Sequence, residues 1–178
     1  MHNKVVFRAA AALNDAGLVA LRINFRGVGQ STGTHDEGRG EREDVLTALA
    51  YLAERYPGLP ATLCGFSFGA RVGMEVGIVD HRVVKLISIG TPVDKYDFSF
   101  LAGCRKPILF VHGTEDEFGA PPNLQKVIAQ IAPDVDVQLV LVEGADHFFA
   151  DHLDQLKQAI TEWSGQHREQ ERPGPGQA

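Results

Sequence analysis

The feature that most constrains this chain is a succession of short apolar runs, each separated from the next by a helical pattern. LVALRIN (18–24), ATLCGF (61–66), VVKLISI (83–89), PILFVHG (107–113) and VDVQLVLVEG (135–144) are the runs. They are too short for core helices and are rich in Val, Ile and Leu, so each predicts a strand, most of them buried on both faces. Between them lie helical periodicities. Val5, Val6, Ala9, Ala12, Leu13 and Ala16 repeat at helical spacing up to a glycine stop at Gly17. Helices are also predicted from Glu41 to Tyr56, ending before Pro57, and over 68–78, 121–131 and 151–163. Strands alternating with helices imply an α/β fold, a mostly parallel sheet with helices on both faces. Functional residues of such sheets lie beyond the C-terminal ends of the strands.

The segment from Thr91 to Arg105 has no clean period and holds several aromatics, which suggests a connection that forms part of a pocket wall. One domain is expected over residues 1–163, and the polar, Pro- and Gly-containing residues 164–178 are expected to be disordered. A net charge of −6 and the absence of a basic patch argue against nucleic acid and anionic membranes as partners. No apolar run reaches membrane-spanning length, and the first residues lack the pattern of a signal peptide. Two cysteines give no disulfide framework, so a cytoplasmic setting is the default expectation.

Three strand ends carry the candidate chemistry. GFSFGA (65–70) follows the run at 61–66 and matches the G-x-S-x-G nucleophile elbow, which lifts a serine hydroxyl off the sheet. Taken alone, the pattern fits Ser67 as a nucleophile and as a helix-capping serine in a glycine-rich corner about equally well. HGTEDEFGAP (112–121) places Asp116 after the fourth run, with Glu115 and Glu117 beside it. EGADHFF (143–149) places His147 after the fifth. Asp146 is too close in sequence to orient its neighbour's ring from behind. Ser, Asp and His in that order, each after a strand of one sheet, is the order of the α/β-hydrolase triad. Phe148 and Phe149 are candidates for apolar walls or for core. His35, Asp36 and Glu37 lack a further ligand group at metal-site spacing and read as a solvated loop. His112 reads as structural, and Cys64 as a small core residue.

On NFRGVGQSTG (24–33), GFSFGA, HGTEDEFGAP and EGADHFF, the sequence resembles an α/β-hydrolase. More narrowly, it resembles the small bacterial hydrolases and predicted carboxylesterases related to dienelactone hydrolase. The resemblance implies Asp116 as the acid and His147 as the base. It also implies ester chemistry, because position 67 is serine where dienelactone hydrolases use cysteine. Ser67 would attack, His147 would move the proton, and the backbone N–H of Phe68 would donate to the oxyanion, with no metal or organic cofactor. Phe25, Arg26, Gly27 and Phe148 are candidate rim residues, with Arg26 ordering its loop rather than clamping substrate. A small-molecule ester is the expected partner; thioesters, amides and a non-catalytic binding role are the alternatives.

Relatives of this kind carry a strand and an HPHP…GG-type loop before the stretch like MHNKVV. That strand lies between the equivalents of 18–24 and 61–66, and its loop supplies a second oxyanion N–H. The absence of one such donor costs about 2.7–4 kcal/mol of transition-state stabilisation. An earlier true start, a shortened sheet that closes up, and a partner subunit covering the gap are the three explanations. An open edge at Val19 and Leu21 would also favour a homo-oligomer.

Overall fold

The computed structural model describes residues 3–170. Its elements follow in the order α1 (Lys4–Asp15), α2 (Arg39–Arg55), β1 (Ala61–Phe66), α3 (Phe68–Gly77), β2 (Val83–Ile89), β3 (Ile108–Gly113), α4 (Pro121–Ile128), β4 (Val137–Val142) and α5 (Leu153–Gln170). The four strands form one parallel sheet in the order β1-β2-β3-β4.

Period-two alternation divides the core between the two faces of this sheet. Leu86, Ile108 and Phe110 point to one side, where they meet Val72, Met74, Phe98 and Leu101. Ile87, Leu109 and Val111 point to the other, where they meet Ala9 and Ala12 of α1 and Leu156, Ile160 and Trp163 of α5. Two buried faces explain why Ile108 to Val111 reads as a continuous apolar run, and why β2 is apolar except at Lys85 and Ser88.

Local chemistry sets the helix ends. The side chain of Asn3 caps α1 by accepting from Val5 N–H at 2.9 Å and Val6 N–H at 3.2 Å. Pro121 opens α4, where a missing N–H leaves no bond unmade. The aperiodic stretch at 91–105 is pinned by a 3-10 turn (Ser99–Gly103) that buries Phe98, Leu101 and Cys104. Phe98 thus belongs to the core, while Tyr96 reaches the rim described below, meeting Phe68 at 6.1 Å between ring centroids.

Three expectations are corrected. Residues 18–24 are not a strand, and no backbone pairing joins residues 19–23 to the sheet among the described residues. Nor is the run buried: Val19 is 66 % exposed, Leu21 42 % and Ile23 36 %. The physical reason is the lack of an adjacent strand. A strand exists only by exchanging hydrogen bonds with a neighbour, and β1 stands across a groove from this segment. The sheet therefore has not closed up over that gap. Finally, α5 does not stop at Trp163 but runs on to Gln170. His167 stitches the added turns down: one ring nitrogen meets the Trp163 carbonyl at 2.8 Å, the other meets Asp136 at 2.9 Å, and Lys85 donates to the His167 carbonyl. These anchors are polar, so apolar periodicity could not reveal them. The rest of the tail lies outside the described residues.

Candidate active site

Ser67 stands between β1 and α3 with φ 54° and ψ −122°, a region costing about 1–3 kcal/mol for a residue with a side chain. The turn is held by Ser67 N–H donating to the Ile89 carbonyl at 3.0 Å. Gly65 makes it possible: a Cβ there would run into the Gly69 carbonyl and come within 2.6 Å of Ala70 Cα. Gly69 is different, since its added Cβ would meet only Phe25 Cε2 at 3.7 Å, an ordinary contact. The Ser67 side chain makes no capping hydrogen bond to α3, which removes the capping-serine alternative. Its hydroxyl instead lies 2.8 Å from His147 Nε2.

The acid and the base come from two loops that brace each other. Glu115 N–H donates to the Ala145 carbonyl at 3.0 Å, and Gly113 lies so close to that carbonyl that no side chain fits. Asp116 and His147 are buried beneath this contact. His147 Nδ1 lies 3.0 Å and 2.9 Å from the two carboxylate oxygens, and Phe118 N–H also donates to Asp116 at 2.9 Å. With Nδ1 committed to the carboxylate, Nε2 is left to accept from Ser67. The imidazole is packed by Phe118, Phe66 and Phe148 at centroid distances of 4.5, 5.0 and 5.2 Å. Phe148 is itself 54 % exposed, while its neighbour Phe149 is fully buried core. The two phenylalanines thus divide the roles that sequence left open.

The loop from Phe25 to Gly38 frames the other side. Phe25 meets Phe68 edge-on at 5.8 Å. Arg26 faces inward to Asp44, with its guanidinium and its own backbone N–H both donating at 2.9 Å, so it orders the loop. Gly27, at φ 72°, makes the turn beside it. Glu41 is completely buried and accepts from Asp36 N–H at 2.9 Å and Gly38 N–H at 2.8 Å. Burial pushes its pKa up, but the backbone donors outweigh burial and hold it below the usual carboxylate value. His35 packs on this carboxylate at 2.8 Å and lays its ring 5.1 Å from that of Phe68. The loop around His35, Asp36 and Glu37 is therefore an ordered structure rather than a merely solvated one. Among the described residues, no group of three His, Cys, Asp or Glu side chains is placed to hold a metal ion. Cys64 is pushed up to about 12 by burial, so its thiol stays protonated.

An apolar cavity of about 420 Å³ opens between the 18–24 segment and β1 and reaches Ser67 and Phe68. Leu13, Leu21, Leu49 and Leu63 are among its walls. Phe68 is the first residue of α3, so its N–H has no carbonyl of the same helix to bind.

The arrangement is of serine-hydrolase type, a His–Asp pair aimed at a strained serine. Residues 1–168 match the model of the alpha/beta hydrolase domain family. The chain belongs to that family. This α/β-hydrolase is 35 % identical over 170 residues to an uncharacterized protein of Rickettsia prowazekii, covering 92 % of this chain and 71 % of that one. It is also similar to a solved alpha-beta serine hydrolase homologue from Coxiella burnetii, at 37 % identity and a TM-score of 0.85, covering 91 % of this chain and 76 % of that one. A solved a/b serine hydrolase without lid from Xanthomonas campestris matches at 33 % identity and a TM-score of 0.84, covering 95 % of this chain and 75 % of that one. No helix among the described residues is long and apolar enough to cross a membrane.

Several residues of the α/β-hydrolase site were beyond sequence reasoning. The sequence marks Glu41 only as the start of a helix and does not single out Asp44; the one hint is their position directly after a glycine-rich loop. Phe118 gave no signal beyond its nearness to Asp116.

Proposed function

We propose that this α/β-hydrolase cleaves small carboxylic esters through an acyl-enzyme on Ser67. The observation that carries the reading is the hydrogen-bond chain Ser67 Oγ–His147 Nε2 at 2.8 Å and His147 Nδ1–Asp116 at 2.9 Å. Ser67 attacks the acyl carbon as His147 removes its proton, and the tetrahedral oxyanion forms against the Phe68 N–H. His147 then protonates the departing alcohol, the C–O bond breaks, and a water activated by the same ring releases the acid. Asp116 keeps the ring in the required tautomer and stabilises the imidazolium.

The 91–105 segment is too short for a large lid, and the Xanthomonas relative is described as lacking one, so the reading is of an open site that takes short acyl groups.

The test is hydrolysis of p-nitrophenyl acetate, butyrate and octanoate by the purified chain and by S67A. Turnover of acetate and butyrate by the parent, lost in S67A, is expected, with octanoate slower. Equal rates for parent and S67A would refute the proposal. Thioester and aminoacyl-amide analogues in the same panel separate the related chemistries.

A further inference from the structure

His112, near the end of β3, does not line the cavity that reaches Ser67, yet it is completely buried and both its ring nitrogens are engaged. Thr91 N–H donates to Nδ1 at 3.2 Å, which puts the ring proton on Nε2, and Nε2–H donates to the Gly119 carbonyl at 2.5 Å. Asp116 Oδ2 lies 3.7 Å from the same Nε2, too far for a hydrogen bond but in packing contact. Burial lowers the pKa of this ring, so it serves as a neutral donor and acceptor.

What His112 holds is more informative than the fact that it is satisfied. Gly119 closes the loop that carries Asp116 and Phe118. Thr91 follows Gly90, whose backbone faces the His147 ring so closely that a Cβ there would stand 3.3 Å from Nδ1 and Cε1. Those two loops also touch: a Cβ on Gly119 would run into the Thr91 carbonyl. His112 therefore ties the loop that supplies the acid to the loop that backs the base.

We propose that His112 is a positioning residue for the Asp116–His147 pair. Its two hydrogen bonds fix the separation of the β2 and β3 loops, and that separation sets how squarely the carboxylate meets His147 Nδ1. The inference rests on the reading of Ser67, Asp116 and His147 as the reacting group. The bond to Gly119 matters more than the bond to Thr91, because Gly119 lies on the acid's own loop.

That ordering gives the test. In H112Q an amide N–H can reach the Gly119 carbonyl; in H112N an amide oxygen can take the place of Nδ1 for Thr91 but no donor reaches Gly119; H112F lacks both. Ester hydrolysis is measured alongside the far-downfield proton resonance of the His147 Nδ1–H···Asp116 bond, assigned by its loss in D116N. H112F is expected to lose up to about 10²-fold in kcat with KM within about two-fold of the parent, and to shift or lose that resonance. H112Q is expected to recover most of both, and H112N to recover little. An H112F variant with parent kcat and an unmoved resonance overturns the proposal. Should H112F not fold, equal behaviour of H112Q and H112N overturns it instead. A parent chain that hydrolyses no ester counts against the proposed function, while the resonance still reports whether His112 positions the pair.

Discussion

Gly65 and Ala70 stand so close across the turn at Ser67 that a methyl group on Gly65 would lie 2.6 Å from Ala70 Cα. Backbone, not a movable side chain, fills the space, so nothing can yield without unfolding the elbow. G65A should therefore cost about 3 kcal/mol of stability and abolish esterase activity. G69A meets only the edge of Phe25 and gains helix propensity, so its stability should stay within about 1 kcal/mol of the parent. Urea unfolding of the two variants checks the contrast. Equal losses at both positions would mean that the elbow is not shaped by the approach of α3 to β1.

Asp116 accepts from His147 Nδ1 on both oxygens while taking a third bond from Phe118 N–H. An asparagine in its place can turn an N–H toward the ring and favour the wrong tautomer. D116N should keep its fold and KM but lose about 10⁴-fold in kcat. Steady-state kinetics with a p-nitrophenyl ester checks this, and a loss below about ten-fold would remove Asp116 from its proposed role.

Stability at low pH should depend on a pair far from the site. Arg82 donates to Asp80 through its backbone N–H and its guanidinium, with the closest approach at 2.6 Å. These hydrogen bonds hold the Asp80 carboxyl at about 2, well below the usual carboxylate range. A depressed folded pKa gives stability that is complete above the unfolded value and is lost as pH falls through the folded one. The pair should thus contribute about 2 kcal/mol near neutrality, vanishing between about pH 4 and pH 2. D80N should be less stable by a similar amount at pH 7 and show a flatter decline over that window. Thermal melts from pH 7 to pH 2 measure both.

The architecture was legible where hydrophobic period and strand-end position agree. Ile108 to Val111 is apolar at every step, and Leu86 to Ile89 at every step but Ser88, because both faces are covered, and that pattern needs no partner to be recognised. Ser67, Asp116 and His147 were legible because each follows such a run. LVALRIN was misread for the same reason: composition marks a segment suited to a strand but cannot say whether a neighbour is there to bond it. The end of α5 was missed because Ser164 and His167 are buried polar residues. Glu41, Asp44 and His112 were not recognised as organisers of the site because their roles depend on contacts with backbone groups remote in the chain or on another loop.

The gap beside β1 makes a prediction of its own. Residues 19–23 have no sheet partners among the described residues, so their amides should exchange with deuterium early, together with flexible loops rather than with β2 and β3. Peptide-level hydrogen exchange resolves the region. Protection of 18–24 equal to that of β2 would show that the segment is paired in solution.

The central claim is that Ser67 is a nucleophile activated by His147. Intact-protein mass spectrometry after treatment with a serine-directed fluorophosphonate tests it most directly. The account predicts one adduct per chain, mapped by peptide sequencing to Ser67, with labelling absent in S67A and slowed by orders of magnitude in H147A. An unlabelled parent chain, or an adduct elsewhere that persists in S67A, would contradict it.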